Sequence, residues 1–200
     1  MAFIAGTGSS KAIAITSAGN GKIIRHIEAV KGQDVKNLAA SPDGNILYYT
    51  TEGNVWAIPA ADGSPRKICA GDGVAVDPNG KDLYVERWGS GGKHLFRVPL
   101  SGGLGDGIRI PNDLPLSDLT ISGTPIRQDG KILLGVQTRD SWFFSLAVLD
   151  PASAKLTRVP LNYTGDMLLS GWTKYGRILA FGEPMRSRIW RFRPIQPPKN

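Results

Sequence analysis

Residues 37–71 read NLAASPDGNILYYTTEGNVWAIPAADGSPRKICAG. The stretch divides into four short runs: LAAS, ILYYT, VWAIPA and RKICA. Pro42-Asp43-Gly44 separates the first two, Glu52-Gly53-Asn54 the next, and Asp62-Gly63 the last. The runs carry β-branched or aromatic residues, and the breaks carry Gly, Asp, Asn and Pro, the residues that turns require. Four antiparallel strands joined by tight turns make one blade of a β-propeller.

The unit recurs. Residues 73–103, GVAVDPNGKDLYVERWGSGGKHLFRVPLSGG, repeat the first three strands and their turns. Residues 119–161 repeat all four, and residues 167–194 repeat three and stop where Pro194, Pro197 and Pro198 follow. The glycine closing the first turn is Gly44, Gly80, Gly130 and Gly176, at spacings of 36, 50 and 46 residues. A hydrophobic triplet follows each: Ile46-Leu47-Tyr48, Leu83-Tyr84-Val85, Ile132-Leu133-Leu134 and Ile178-Leu179-Ala180. Spacings of this size suit propeller blades, and no segment sustains a helical period. The expected architecture is all-β: a single domain over 1–200, a propeller of four to five blades. The blades fall near 1–30 (partial), 37–71, 72–111, 117–162 and 166–194.

Both ends read as incomplete. FIAGTG, KAIAITSAGNG and KIIRHIEAV suggest a first blade without its innermost strand. Two arrangements satisfy this: Phe3 to Gly6 supplies the missing outer strand of the last blade, or the chain is the C-terminal piece of a longer propeller. Open blade edges would then favour a homo-oligomer.

Composition narrows the function classes. Apolar residues are 41% of the 200, and Gly (25) and Pro (14) are spread along the chain. That distribution fits many short elements, and no apolar run is long enough for a spanning helix. The start, MAFIAGTGSSK, lacks the basic region of a signal peptide, so membrane contact is not expected and localisation is left open. The net charge of +7 is scattered, its densest group being Arg186, Arg188, Arg191 and Arg193, so nucleic acid is not the expected partner. The lone Cys69, in a strand, allows no internal disulfide and reads as a buried thiol.

Ser41-Pro42-Asp43-Gly44, followed by Ile46-Leu47-Tyr48-Tyr49 and Val55-Trp56-Ala57-Ile58, resembles the repeat of TolB-like, more broadly WD-like, β-propellers. It is most similar to the propeller sensor regions attached to some bacterial serine/threonine protein kinases. Asp77-Pro78-Asn79-Gly80 is a near variant, Arg127-Gln128-Asp129-Gly130 lacks the proline, and Thr173-Lys174-Tyr175-Gly176 lacks the acid. The resemblance covers about residues 37–194. It implies a non-catalytic platform for a small-molecule or protein ligand, within a larger bacterial sensor protein. No kinase signature occurs in the chain.

Nucleophile elbows, phosphate loops and zinc motifs are absent from the sequence. His26 and His94 are the only histidines and read as strand residues. Trp56, Trp142 and Trp190 fall in or beside third strands, where aromatics pack blade on blade, whereas Trp88 and Trp172 fall near strand ends and are candidate ligand-stacking residues. An acid recurs before each innermost strand: Asp34, Asp72, Asp118 and Asp166, at 10, 8, 12 and 10 residues before the turn glycines. Their recurrence predicts one channel mouth. There they either hold a divalent cation (calcium, magnesium or manganese) or cap turns and meet lysines and arginines. Asn37 and Asn112 are candidate amide ligands.

Two functions compete. The first is the non-catalytic binding module. The alternative is a divalent-metal-dependent hydrolase of lactonase or phosphoesterase type, with its site at the channel mouth. Residues 73–80 and 83–85 are also similar to gluconolactonase-type and NHL-type propellers, which imply such a metal, although the glutamate and base of those sites are missing here.

Overall fold

The computed structural model describes residues 1–7, 11–61 and 63–186. These form five antiparallel sheets, arranged as the blades of a propeller. The first holds β1 (Ala2–Ala5), β2 (Ala12–Thr16) and β3 (Ile23–Ile27). The second holds β4 (Asn37–Ala40), β5 (Ile46–Thr51), β6 (Asn54–Pro59) and β7 (Arg66–Ala70). In the third are β8 (Gly73–Val76), β9 (Asp82–Gly89), β10 (Gly92–Pro99) and β11 (Asp106–Ile108). The fourth comprises β12 (Leu116–Thr120), β13 (Ile132–Thr138), β14 (Phe144–Asp150) and β15 (Lys155–Arg158). The fifth pairs β16 (Gly165–Trp172) with β17 (Ile178–Pro184). Among the described residues the helical content is one 3-10 turn, Glu28–Val30, which drops Val30 into the core with no exposed surface.

The repeated turn has the chemistry the sequence predicts. In all four copies the glycine N–H donates to the carbonyl three residues earlier: Gly44 to Ser41 (2.8 Å), Gly80 to Asp77 (2.8 Å), Gly130 to Arg127 (2.9 Å) and Gly176 to Thr173 (3.0 Å). All four glycines have φ between +65° and +83°. Where the acid is present it braces the turn: Asp43 Oδ1 accepts from Asn45 N (3.1 Å) and Asp129 Oδ1 from Lys131 N (3.3 Å). No atom lies within 4 Å of a Cβ built on Gly44. Its replacement by alanine is therefore expected to cost only the left-handed backbone term, about 1 kcal/mol. A lowered urea midpoint at unchanged slope would show it.

The first sheet differs from expectation. The innermost position of this sheet is not empty: β1 takes it. It pairs with β2 in register, Ala2 with Ile15 through Ala5 with Ala12, and lies against β4, the inner strand of the next sheet. Ala2 and Ile4 pack on the cluster of Ile13, Val35, Leu47 and Tyr49. A local hairpin closes a shorter loop than a return from the far end of the chain. The 187–193 strand of the ring-closing arrangement lies outside the described residues.

The cores lie between sheets as well as within them. Ile13, Val30, Tyr49 and Ile58 join the first sheet to the second. Val55, Cys69, Val74 and Val98 join the second to the third. Tyr84, Leu95, Leu119, Leu134 and Leu149 join the third to the fourth. Hydrogen bonds stitch the second sheet to the third, the third to the fourth and the fourth to the fifth. Asn37 Oδ1 accepts from Val74 N (3.2 Å), Glu86 Oε2 from Ile121 N (3.0 Å), and Ser122 Oγ from Ser170 N (3.2 Å). Each side chain satisfies a backbone N–H of the following blade, a group that costs free energy if buried unpaired.

Candidate functional site

Innermost strands pack side by side, most extensively β4 against β8. This brings two of the four predicted aspartates together. Asp34 and Asp72 line a cavity of about 350 Å³ with Lys36, Thr51, Glu52 and Trp88. Trp88 ends β9, and pairing in the hairpin sets Lys93 of β10 directly opposite it. The ammonium lies 5.1 Å from the indole centroid, and Asp72 Oδ2 accepts from the Trp88 backbone N–H (3.0 Å). Lys93 thus flanks the ring while Asp72 holds only the backbone beneath it, and the residue is 63% exposed.

The four carboxylates are otherwise engaged separately. Asp34 sits between Lys11 Nζ (2.8 Å) and Lys36 Nζ (2.5 Å). Hydrogen bonds from those two lysines hold its carboxyl below the usual range. Asp118 lies 3.5 Å from Lys93 Nζ and turns its other oxygen to the Leu119 N–H (2.8 Å). Asp166 Oδ1 accepts from Phe144 N (2.8 Å), tying the fifth sheet to the fourth. Among the described residues no three His, Cys, Asp or Glu side chains come together as a metal-ligand set. Calcium, magnesium and manganese need several oxygen ligands at one point. A carboxylate flanked by two ammonium groups, and others each turned to a different lysine or backbone N–H, do not fit such an ion.

The amide candidates also part. Asn37 is spent on its inter-blade bond. Asn112 is exposed and lines a groove between the third and fourth sheets. Trp172, at the end of β16, donates its Nε1–H to the Pro125 carbonyl (3.0 Å) and carries Arg127 over its ring at 4.8 Å. With Arg127, Asp129 and Lys174 it lines a cavity of about 380 Å³.

Three tryptophans read as packing residues fall out differently. Trp56 in β6 is half-buried. Trp142 precedes β14 and is 91% exposed, so it packs no seam. Trp190 lies outside the described residues, as do Arg188, Arg191 and Arg193. Cys69 is buried, and burial pushes its thiol up, away from reactivity.

A feature not anticipated from sequence sits behind Trp88. Glu86 is 4% exposed, on the same strand face as Tyr84 and Trp88. Lys93 reaches it diagonally across the hairpin (3.3 Å). Burial raises the Glu86 carboxyl above its ordinary 4.5, and the charge of Lys93 opposes that rise. The signal was present in the run LYVE, where Glu86 continues a strand buried on both faces.

The fold and its seams define a β-propeller, with openings at the mouth and between blades. No known protein-family model matches the sequence, and no curated protein does. Solved structures do. A putative TolB from Agrobacterium tumefaciens is 19% identical, with a TM-score of 0.60 over 80% of this chain and 57% of that one. TolB from Acinetobacter baumannii is 14% identical, with a TM-score of 0.71 over 93% and 47%. A structure of a nidogen/laminin complex matches at 13% identity and a TM-score of 0.63, over 90% and 68%. The chain therefore spans about half the length of the TolB structures it matches, and its fold is that of TolB-like propellers.

Proposed function

We propose that this chain is a non-catalytic binding module that takes a small-molecule or protein ligand at its channel mouth. The observation that carries the reading is Trp88, a large aromatic surface flanked by Lys93, on a backbone that Asp72 holds, and left open to solvent. An exposed tryptophan offers a large contact surface with only two side-chain torsions to lose, and such rings anchor ligands and partners. One structural neighbour belongs to a protein–protein complex by its description, which supports the same use of the fold. The similarity of the repeats to kinase-linked propellers extends the proposal to a role within a larger bacterial sensor.

Thermal-shift screening against panels of sugars, carboxylic acids and short peptides tests this. At least one class should raise the wild-type melting temperature, and Trp88→Ala should abolish most of that shift. Incubation with lactone and phosphoester substrates should give no turnover above buffer. Steady hydrolysis that disappears in Asp72→Asn would overturn the non-catalytic reading in favour of the hydrolase.

A further inference from the structure

The groove between the third and fourth sheets has an unusual charge pattern. Its cavity, about 620 Å³, is in the range that holds small organic ligands. The start of β10 gives Lys93 and His94, the segment after β11 gives Arg109, and the residue after β13 is Arg139. No Asp or Glu lines it. Lys93 is occupied by Glu86 and Asp118, and His94 Nε2 bonds the Ser90 carbonyl (3.0 Å). Among the described residues neither the Arg109 nor the Arg139 guanidinium has a hydrogen-bond or ion-pair partner. The rest of the wall is apolar, including Ile108, Ile110, Leu114 and Leu116, which pack on the buried core.

We propose that this groove binds a small amphipathic anion, a carboxylate carried on an apolar body. The body would lie on the aliphatic wall, removing apolar surface from water. The acid head would meet Arg109 and Arg139, whose planar forks match carboxylate geometry, with the exposed Asn112 amide beside them. The inference rests on the reading of the chain as a binding module, but at a seam that meets the Trp88 mouth only at Lys93.

Backbone amide NMR with octanoate as the probe, and octan-1-ol and octylammonium as controls of equal chain length, tests it. Octanoate should shift the Ile110, Leu114 and Leu116 amides saturably, octanol more weakly and octylammonium not at all. Added salt should weaken octanoate binding, because both guanidiniums are exposed. Arg109→Gln/Arg139→Gln should weaken it by about tenfold or more with the melting temperature unchanged. Should that variant not fold, the comparison of the three probes on the wild type decides alone. Equal binding of octanol and octanoate, undiminished binding in the folded double variant, or no saturable groove shift would overturn the proposal. Octanoate shifts confined to Trp88 and Asp72 would overturn it too, while leaving the binding-module reading in place.

Discussion

Replacing Lys93 with methionine is expected to destabilise the fold by about 3 kcal/mol. The substitution leaves Glu86, 4% exposed, without its cationic neighbour. Removing one partner of a buried pair strands the other charge, which costs more than the pair itself contributed. For a chain of this length the loss is roughly 6 to 12 °C in melting temperature. The double variant Glu86→Gln/Lys93→Met should recover most of it, since the buried carboxylate is gone, the glutamine oxygen still accepts from Ile121 N–H, and Asp118, which also loses Lys93, is partly exposed and keeps its bond to Leu119 N–H. The deficit should also depend on pH. Burial raises the Glu86 pKa in the folded state above the ordinary 4.5. The stability tied to its protonated form is complete below that ordinary value and is lost as pH rises through the folded value. Without Lys93 the rise is larger. The Lys93→Met deficit should therefore be greatest near neutrality and shrink as pH falls toward 4.5. A deficit independent of pH would mean that lost packing of the lysine stem, and not the stranded carboxylate, explains the loss.

Truncating Leu134 to alanine is expected to cost about 3 kcal/mol. Leu134, on β13, has no exposed surface and belongs to a cluster that takes Tyr84 and Leu95 from the third sheet and Leu119 and Leu149 from the fourth. The cost combines lost burial with the cavity left in a wall made by two blades. A control on β17 of the fifth sheet, Phe181→Ala, removes a side chain that is 58% exposed and should change stability by no more than about 0.5 kcal/mol. Urea midpoints at constant slope give both numbers. Because the cluster bridges blades, amide exchange in β9 and β10 should quicken in Leu134→Ala along with that in β13. Quickening confined to the fourth sheet would mean that the blades are energetically independent.

The turns and strands were legible because their chemistry is local. Gly44, Gly80, Gly130 and Gly176 mark one turn four times, and all four take the positive φ that glycine tolerates. The sheets follow from that punctuation. The first sheet was misread at its inner edge because FIAGTG lacks the turn signal of the other repeats, and its place depends on contacts with β4 that no local pattern records. The aspartates show the same limit. Recurrence before each inner strand identified equivalent positions, and Asp34 and Asp72 do share a cavity with Trp88. Sequence could not show that Lys11, from another blade, reaches Asp34, or that Phe144 N–H takes Asp166. Trp142 and Trp88 both sit near strand ends. Of the two, only Trp88 has a cross-strand cation over its ring and a carboxylate on its backbone N–H, a difference set by register.

Calorimetric titration of the purified, chelator-treated protein with calcium, magnesium and manganese most directly separates a binding module from a metal-dependent hydrolase. Asp34 is neutralised by two lysines, Asp118 shares Lys93 with Glu86, Asp72 holds a backbone N–H at the edge of the third sheet, and Asp166 holds one between the fifth sheet and the fourth. The account predicts no saturable heat with any of the three ions and no stabilisation of the fold. Saturable binding that raises the melting temperature and disappears in Asp72→Asn/Asp118→Asn would contradict it.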